Sequence, residues 1–338
     1  MKNKNYTIAT LGSHTALQIL KGGKDEGFST LLVTTAKHKA FYSTFSFIEE
    51  IIVIPSFSEF PSVEKELIKR NVILIPHGSF VAYLGAEVNR NMNVQYFGNK
   101  DVIDWEEDRE KQRTWLEKSG VNLPRHFDLG HEPLDYPIIV KSYGAAGGKG
   151  YFYARNKEDF EEKLKTFNRK KYVIQEYVIG VPLYIHYFYS PLTNKIEIMS
   201  IDRRYETNVD AVGRIPLLGQ QSLVIEPSYV VVGNSELVLR EGMLSEAYEM
   251  ARRVIERSKE LMSGRGLFGP FCLETIITPD QKFCILEISC RIVAGTNLFI
   301  NGSPYSWLYY NEPMSTGRRI AREIKNAIKE NKLDLLLD

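Results

Sequence analysis

Apolar residues in the first third of the chain fall in short unbroken runs separated by stretches of helical spacing. The runs YTIATLG, STLLVTT, EEIIVIP and NVILIPHG are rich in β-branched residues and of strand length. Each ends near a glycine, a proline or a polar turn. Between them, HTALQILKGGKDEG and SVEKELIKR repeat apolar positions at three- and four-residue intervals. Buried strands alternating with amphipathic helices predict a parallel, Rossmann-like sheet. DWEEDREKQRTWLEKSG predicts one helix, with Asp104 as its cap, acids in its first turn and Gly120 at its end. VNLPRHFDLGHEPLDYP, rich in proline and histidine, reads as a linker into a second unit.

From Pro137 the pattern changes. PIIVKSYG and GYFYA predict strands flanking a glycine-rich loop, NKEDFEEKLKTF a helix, and KKYVIQEYVIG another strand. VPLYIHYFYS and NKIEIMSIDRRYE alternate like strands, EAYEMARRVIERSKELM is helical, and GPFCLETIIT and KFCILEISC predict an antiparallel pair. TGRRIAREIKNAIKE predicts a last amphipathic helix. The fold expected is α/β: a Rossmann-like domain over 1–120, then an α+β domain over 121–338. The latter divides into a small lid unit at about 137–190 and a larger sheet with C-terminal helices at about 191–338.

Composition narrows the function classes. The 338 residues contain 43 Lys plus Arg and 42 Asp plus Glu, so no bulk charge draws the chain to nucleic acid or a membrane surface. Any anion site must be local. No stretch approaches the ~18 apolar residues of a membrane span, and the N-terminus passes directly into a strand, so a cytoplasmic protein is expected. Cys272, Cys284 and Cys290 form no Cys-x-x-Cys pair and read as buried reduced thiols.

Two constellations suggest chemistry. Glu274 and Glu287 lie on the paired late strands among Cys272, Leu273, Ile285, Leu286 and Ile288. Two desolvated carboxylates side by side require a cation between them, a proton on one, or arginine partners, with Arg291 close by. Mg²⁺ accepts one or two protein carboxylates and leaves its other positions to phosphate and water. Upstream, Lys141 closes a strand, Gly147, Gly148 and Gly150 crowd the following loop, and Lys149 adds charge. Bare amides and ammonium groups suit phosphate, although a glycine-rich hairpin can be only a hairpin. Together the loop and the acid pair fit a magnesium nucleotide. Between them VIQEYVIG offers a strand end and an apolar hinge, with Val173 and Val178 as walls for a base.

This order resembles the ATP-grasp superfamily. The resemblance implies ATP as co-substrate, with Mg²⁺ or Mn²⁺ held by Glu274 and Glu287. It assigns phosphate contacts to Lys141 and the loop, adenine contacts to Glu176, Tyr177 and Val178, and a phosphate or acyl-phosphate contact to Arg291. The chain departs from the pattern at Ser289, where many members have Asn, and at VPLY, where a carboxylate often follows the hinge. Glu206 is the candidate for the ribose contact.

Longer blocks, among them ATLGSHTALQILKGGKDEGFST, IPHGSFVAYLG, DRRYETNVD and GTNLFINGSPYSWLYYNEPMSTGRRIAREI, are similar to archaeal-type formate-dependent ligases. Those enzymes formylate 5-aminoimidazole-4-carboxamide ribonucleotide (AICAR). The resemblance implies a homo-oligomer acting on ATP, formate and AICAR, with His14, Ser79 and Asn234 on the nucleotide substrate. The residues support an anion site independently: TLGSHT and IPHGSF both run from a strand end toward a helix start, where N–H groups are free. His14 also adds a ring nitrogen, a candidate catalytic group. Two further readings stay open, a ligase for another acid and amine and a non-catalytic nucleotide-binding relative.

Overall fold

A computed structural model describes residues 6–128, 133–142, 150–167, 171–220, 228, 230–262 and 264–338. Five parallel strands open the chain: β1 (Thr7–Leu11), β2 (Ser29–Thr35), β3 (Glu50–Ile54), β4 (Val72–Leu74) and β5 (Gln95–Tyr96). They lie in the order β3-β2-β1-β4-β5. Ile8, Leu32 and Ile73 enter one core while their neighbours Ala9, Leu31, Val33 and Leu74 enter another. Side chains on a strand alternate between faces, so a strand apolar at every position is one covered on both.

The expected single helix at 104–120 is two, Asp101–Glu107 and Arg109–Lys118. Asp108 separates them and its carboxylate accepts from the N–H groups of Glu110 and Lys111. Asp104 therefore lies inside the first helix, paired with Arg90, and caps nothing. One acid among many conceals the break. Gly120 follows the second helix at φ 66°, as a terminating glycine should.

A small antiparallel sheet comes next: β6 (His126–Phe127), β7 (Ile138–Ser142), β8 (Tyr151–Ala154) and β9 (Tyr172–Glu176), ordered β6-β9-β7-β8. The expected linker thus contains a strand, paired with β9 through His126 and Phe127. The larger antiparallel sheet holds β10 (Val181–Ser190), β11 (Lys195–Glu206), β12 (Val231–Glu236), β13 (Gly269–Ile277) and β14 (Phe283–Ser289), ordered β12-β11-β10-β13-β14. The expected lid boundary near 190 is corrected: β10 is the central strand of this sheet, because it pairs along one edge with β11 and along the other with β13. Gly180 marks the change of sheet, and a Cβ there would collide with the Ile277 carbonyl.

One face of the large sheet is apolar. Leu183, Ile185, Tyr187, Ile201, Leu273 and Ile285 are buried with Met250 and Val254 of the helix Glu241–Leu261. The Tyr187 hydroxyl donates to the Ala247 carbonyl across that contact. The opposite face is polar and meets the parallel-sheet domain.

A staple fixes that meeting. The helix Ala16–Asp25 crosses Thr316–Glu330 so closely that a Cβ at Gly22 would strike the Arg318 backbone, and one at Gly317 the Gln18 carbonyl. The Glu26 carboxylate, with its side chain 1% exposed, accepts from Arg318, Arg322 and Lys325. Gln18 donates to Thr296, Asn297 to the His14 carbonyl, and His77 bridges to Ile292. The C-terminal ends of β1 and β4 are thereby held against the polar face.

Candidate active site

Strand register assembles the site. Glu274 and Glu287 are direct cross-strand partners on β13 and β14. Tyr184 on β10 stands opposite both Glu274 and Asp202, and Arg204 on β11 stands opposite Asn234 on β12. Because residues two apart share a face, these six groups lie on one side of the sheet.

Their contacts follow that order. Arg204 holds Glu274 with two hydrogen bonds of 3.0 and 3.3 Å, and its guanidinium lies 3.5 Å over the Tyr184 ring. Burial is the largest single influence on Arg204 and would lower its pKa, but Glu274, Tyr184 and Cys272 together raise it. Glu287 is more open, 36% exposed, with Arg109 at 3.5 Å. The arginines on the acid pair are therefore Arg204 and Arg109. Arg291, expected nearby, instead pairs with buried Glu106 at 2.9 Å, whose other oxygen accepts from the Cys290 N–H. Burial pushes the Glu106 carboxyl up, against the pull of Arg291.

Lys141 comes from β7 of the small sheet. Burial lowers its ammonium to about 8, and the carboxylates of Glu287 and Glu274 oppose that shift. Its electrostatic neighbours are thus the acids of the large sheet, and the cleft lies between the two sheets. Gly150 follows at φ 78°, and its carbonyl accepts from the Ser142 N–H. Gly147, Gly148 and Lys149 lie outside the described residues.

The hinge residues occupy the far end of the small sheet. The Glu176 carboxylate accepts from the Arg125 N–H, and the Tyr177 N–H donates to the Pro137 carbonyl. The Tyr177 ring meets Tyr153 edge-on, and Val178 is half-buried. Glu206 ends β11, with its carboxyl raised by burial and by Asp210. Of the aromatic residues in VPLYIHYFYS, Tyr187, Phe188 and Tyr189 are core. Tyr184 is the exception in role, since its face carries Arg204.

His14 sits at φ 55°, in the left-handed region a non-glycine residue seldom adopts. Its ring stacks on His77, with centroids 5.4 Å apart and planes 3° from parallel, and a Cβ on Gly78 would strike it. Burial lowers His14 to about 2, helped by His77, Arg291 and Arg204. His77 is buried and also lowered, to about 4, mainly by desolvation. Its Nε2 donates to the Leu11 carbonyl and its Nδ1 accepts from the Ser79 N–H. The Ser79 hydroxyl reaches Ser13 at 2.9 Å. Both strand-end turns thus present neutral polar groups near Arg204 of β11 and Arg291, which follows β14. Asn234 donates through Nδ2 to Asp202 at 2.6 Å.

Arg204, Arg109, Glu106, His77 and Asp202 are the residues that reading the sequence missed. All five sit inside stretches already singled out: Arg204 and Asp202 in DRRYE, His77 in IPHGSF, and Glu106 and Arg109 in the acidic helical stretch. Among the described residues no three His, Cys, Asp or Glu side chains form a metal cluster, and no helix is long and apolar enough to cross a membrane.

A parallel-sheet domain, a small antiparallel sheet bearing a lysine, and a large antiparallel sheet bearing paired acids make up the ATP-grasp architecture. An ADP complex of N5-carboxyaminoimidazole ribonucleotide synthetase shares this fold at a TM-score of 0.66, with 14% identity over 96% of this chain and 78% of that one. A crystal structure of the IMP biosynthesis protein PurP from Thermococcus kodakaraensis matches at a TM-score of 0.79, with 30% identity over 98% of this chain and 100% of that one. Sequence relatives are nearer still. The 5-formaminoimidazole-4-carboxamide-1-(beta)-D-ribofuranosyl 5'-monophosphate synthetase of Pyrococcus horikoshii is 53% identical over 97% of this chain and 98% of its own length. That of Saccharolobus solfataricus is 48% identical over 98% and 99%. Family models described as "Protein of unknown function (DUF1246)" and "Domain of unknown function (DUF1297)" match residues 8–127 and 152–337. The chain belongs to the 5-formaminoimidazole-4-carboxamide ribonucleotide synthetase family.

Proposed function

We propose that this chain formylates the 5-amino group of AICAR with formate and ATP, releasing ADP and phosphate, in IMP biosynthesis. Family membership supports the reaction. The structural observation that carries it is the pairing of Glu274 with Glu287 beside the ammonium of Lys141.

Formate is a poor acyl donor because its oxygen is a poor leaving group. A formate oxygen attacks the γ-phosphorus, the bond to ADP breaks, and formyl phosphate results. The 5-amino nitrogen then attacks the formyl carbon, the carbon–oxygen bond to phosphate breaks, and the nitrogen gives up a proton. No side-chain nucleophile is needed, so the protein supplies orientation and charge neutralisation. Lys141, Lys149 and the amides of Gly147, Gly148 and Gly150 bind phosphates, Glu176 to Val178 the adenine, and Glu206 the ribose. His14, Ser79 and Asn234 take the nucleotide substrate. Arg291 steadies the acyl phosphate, and with Arg204 it supplies the cations a small carboxylate requires. With His14 lowered so far by burial, its role is that of a neutral hydrogen-bonding group.

The acid pair fits Mg²⁺ or Mn²⁺. Such ions take one or two protein carboxylates and complete their shell with phosphate and water, and Glu287 keeps an exposed carboxylate. When bound, the ion neutralises the β- and γ-phosphates.

The reading includes a cytoplasmic homo-oligomer. Exposure of Trp307, Leu308 and Tyr309 on one short helix supports an assembly, which sedimentation tests. For the reaction itself, phosphate release from ATP is measured with formate alone, AICAR alone and both. Release that needs both supports the proposal. Release with AICAR and a different acid points to another ligase, and nucleotide binding without turnover to a non-catalytic relative.

A further inference from the structure

The side chain of Asn234 is held in one sense by a carboxylate that has no exposure. Asp202 is 0% exposed, and Gly295 packs against it so closely that a Cβ there would overlap its oxygens. Among the described residues each Asp202 oxygen has one partner. Oδ1 meets His186 Nε2, and Oδ2 accepts from Asn234 Nδ2 at 2.6 Å. The three residues come from adjacent strands, β10, β11 and β12, and lie diagonally across one face.

A carboxylate only accepts hydrogen bonds, so the atom of Asn234 directed at it must be the amide nitrogen. The choice between the two ends of an asparagine amide is made by its partners, and here the partner allows one answer. The carbonyl Oδ1 is consequently turned away from Asp202, and among the described residues nothing donates to it. Asn234 is half-buried and stands opposite Arg204, so this acceptor lies beside the acid pair's arginine.

We infer that Asp202 is a positioning residue that fixes Asn234 as a hydrogen-bond acceptor for an exocyclic N–H of the aminoimidazole carboxamide. The inference rests on the substrate proposed above. It goes beyond that proposal by fixing the sense of the contact: Asn234 reads a donor on the base and does not donate to phosphate or to a substrate carbonyl. Two donors on the base qualify, the carboxamide NH₂ and the 5-amino group. A site built to accept an N–H rejects an analogue that presents an oxygen there, because two acceptors then face each other.

Exchange of the two residues tests this. Asn234→Asp alone sets two carboxylates against each other. In the double variant Asp202→Asn, Asn234→Asp the pair is restored with its polarity reversed. Residue 202 still accepts from His186 through its carbonyl and donates through its amide to the new carboxylate, and position 234 still presents an acceptor outward. AICAR binding is measured by calorimetry without ATP, with ADP affinity and the thermal midpoint as controls for folding. Asn234→Asp and Asn234→Leu are expected to weaken AICAR at least tenfold while ADP affinity stays within about twofold. The double variant is expected to recover AICAR binding to within about tenfold of wild type. An analogue with carboxylate in place of carboxamide separates the donors: selective loss in wild type and double variant assigns the carboxamide, and retention assigns the 5-amino group. If the folded double variant binds ADP normally but not AICAR, Asn234 is a donor and the inference is overturned. If wild type itself does not bind AICAR, the substrate reading fails instead.

Discussion

Arg204 holds both oxygens of Glu274, at 3.0 and 3.3 Å, while its guanidinium lies 3.5 Å over the Tyr184 ring. One carboxylate of the acid pair is therefore already compensated by protein. Replacing the guanidinium leaves Glu274, only 16% exposed, without its counter-charge. Arg204→Met is expected to lose about 1–3 kcal/mol of stability and to regain part of it on addition of Mn²⁺ without nucleotide. Wild type should respond less. Thermal midpoints with and without the ion measure this, and equal responses would remove the competition between arginine and metal.

Glu287 is the more accessible member of the pair, so its loss should affect chemistry more than folding. Glu287→Gln is expected to keep the wild-type thermal midpoint within a few degrees and to lose roughly a hundredfold or more in turnover. Wild-type rates in this variant would withdraw the metal assignment.

The ammonium of Lys141 titrates near 8 in the free protein because burial disfavours its charge. Below that pH it is charged, as the proposed phosphate contact requires; above it the charge is lost. ATP affinity should accordingly weaken as pH rises through about 8, and Lys141→Arg should move the decline to higher pH. Affinity that is flat from pH 7 to 9.5 would contradict the assignment.

His14 and His77, lowered to about 2 and about 4, stay neutral from pH 5 to 9. Neither should contribute a limb to the profile of kcat/KM for AICAR across that range. His14→Asn, which keeps a polar side chain suited to positive φ, is expected to raise the KM for AICAR without changing the profile's shape. Disappearance of a limb near 6.5 in this variant would show that His14 carries a proton after all.

The first four strands of the parallel sheet were legible as unbroken apolar runs, whereas β5 is only Gln95–Tyr96 and gave no such run. Thr316–Glu330 was legible because its stripe is unbroken from cap to end. The acid pair was legible too, since a short polar turn obliges the flanking strands to pair and brings Glu274 opposite Glu287. What the sequence hid were partnerships that depend on register between distant segments. Arg204 reaches Glu274 across the intervening strand β10, whose pairing with β11 and with β13 sets both positions around Tyr184. Arg291 was assigned by proximity in sequence, yet the unforeseen helix break at Asp108 delivers Glu106 to it. His77 and His14 stack only because two βα turns share one sheet edge. The staple at Glu26 needed both chain ends.

That staple carries its own prediction. Three basic side chains hold the Glu26 carboxyl at about 2, against the pull of burial, from an ordinary 4.5. Its contribution to stability is complete above pH 4.5 and is lost as pH falls from there toward 2. Glu26→Gln is expected to cost about 3 kcal/mol at neutral pH and to flatten the acid limb of the stability curve. Denaturant melts at pH 7 and pH 3.5 check both.

In the proposed reaction formate is activated on phosphorus within this cleft. Formate labelled with ¹⁸O in both oxygens, turned over once with ATP and AICAR, tests it directly by mass spectrometry of the products. One labelled oxygen is expected in the released phosphate and the other in the formyl group of the product. Phosphate free of label, with product still formed, would contradict the acyl-phosphate route and the account built on it.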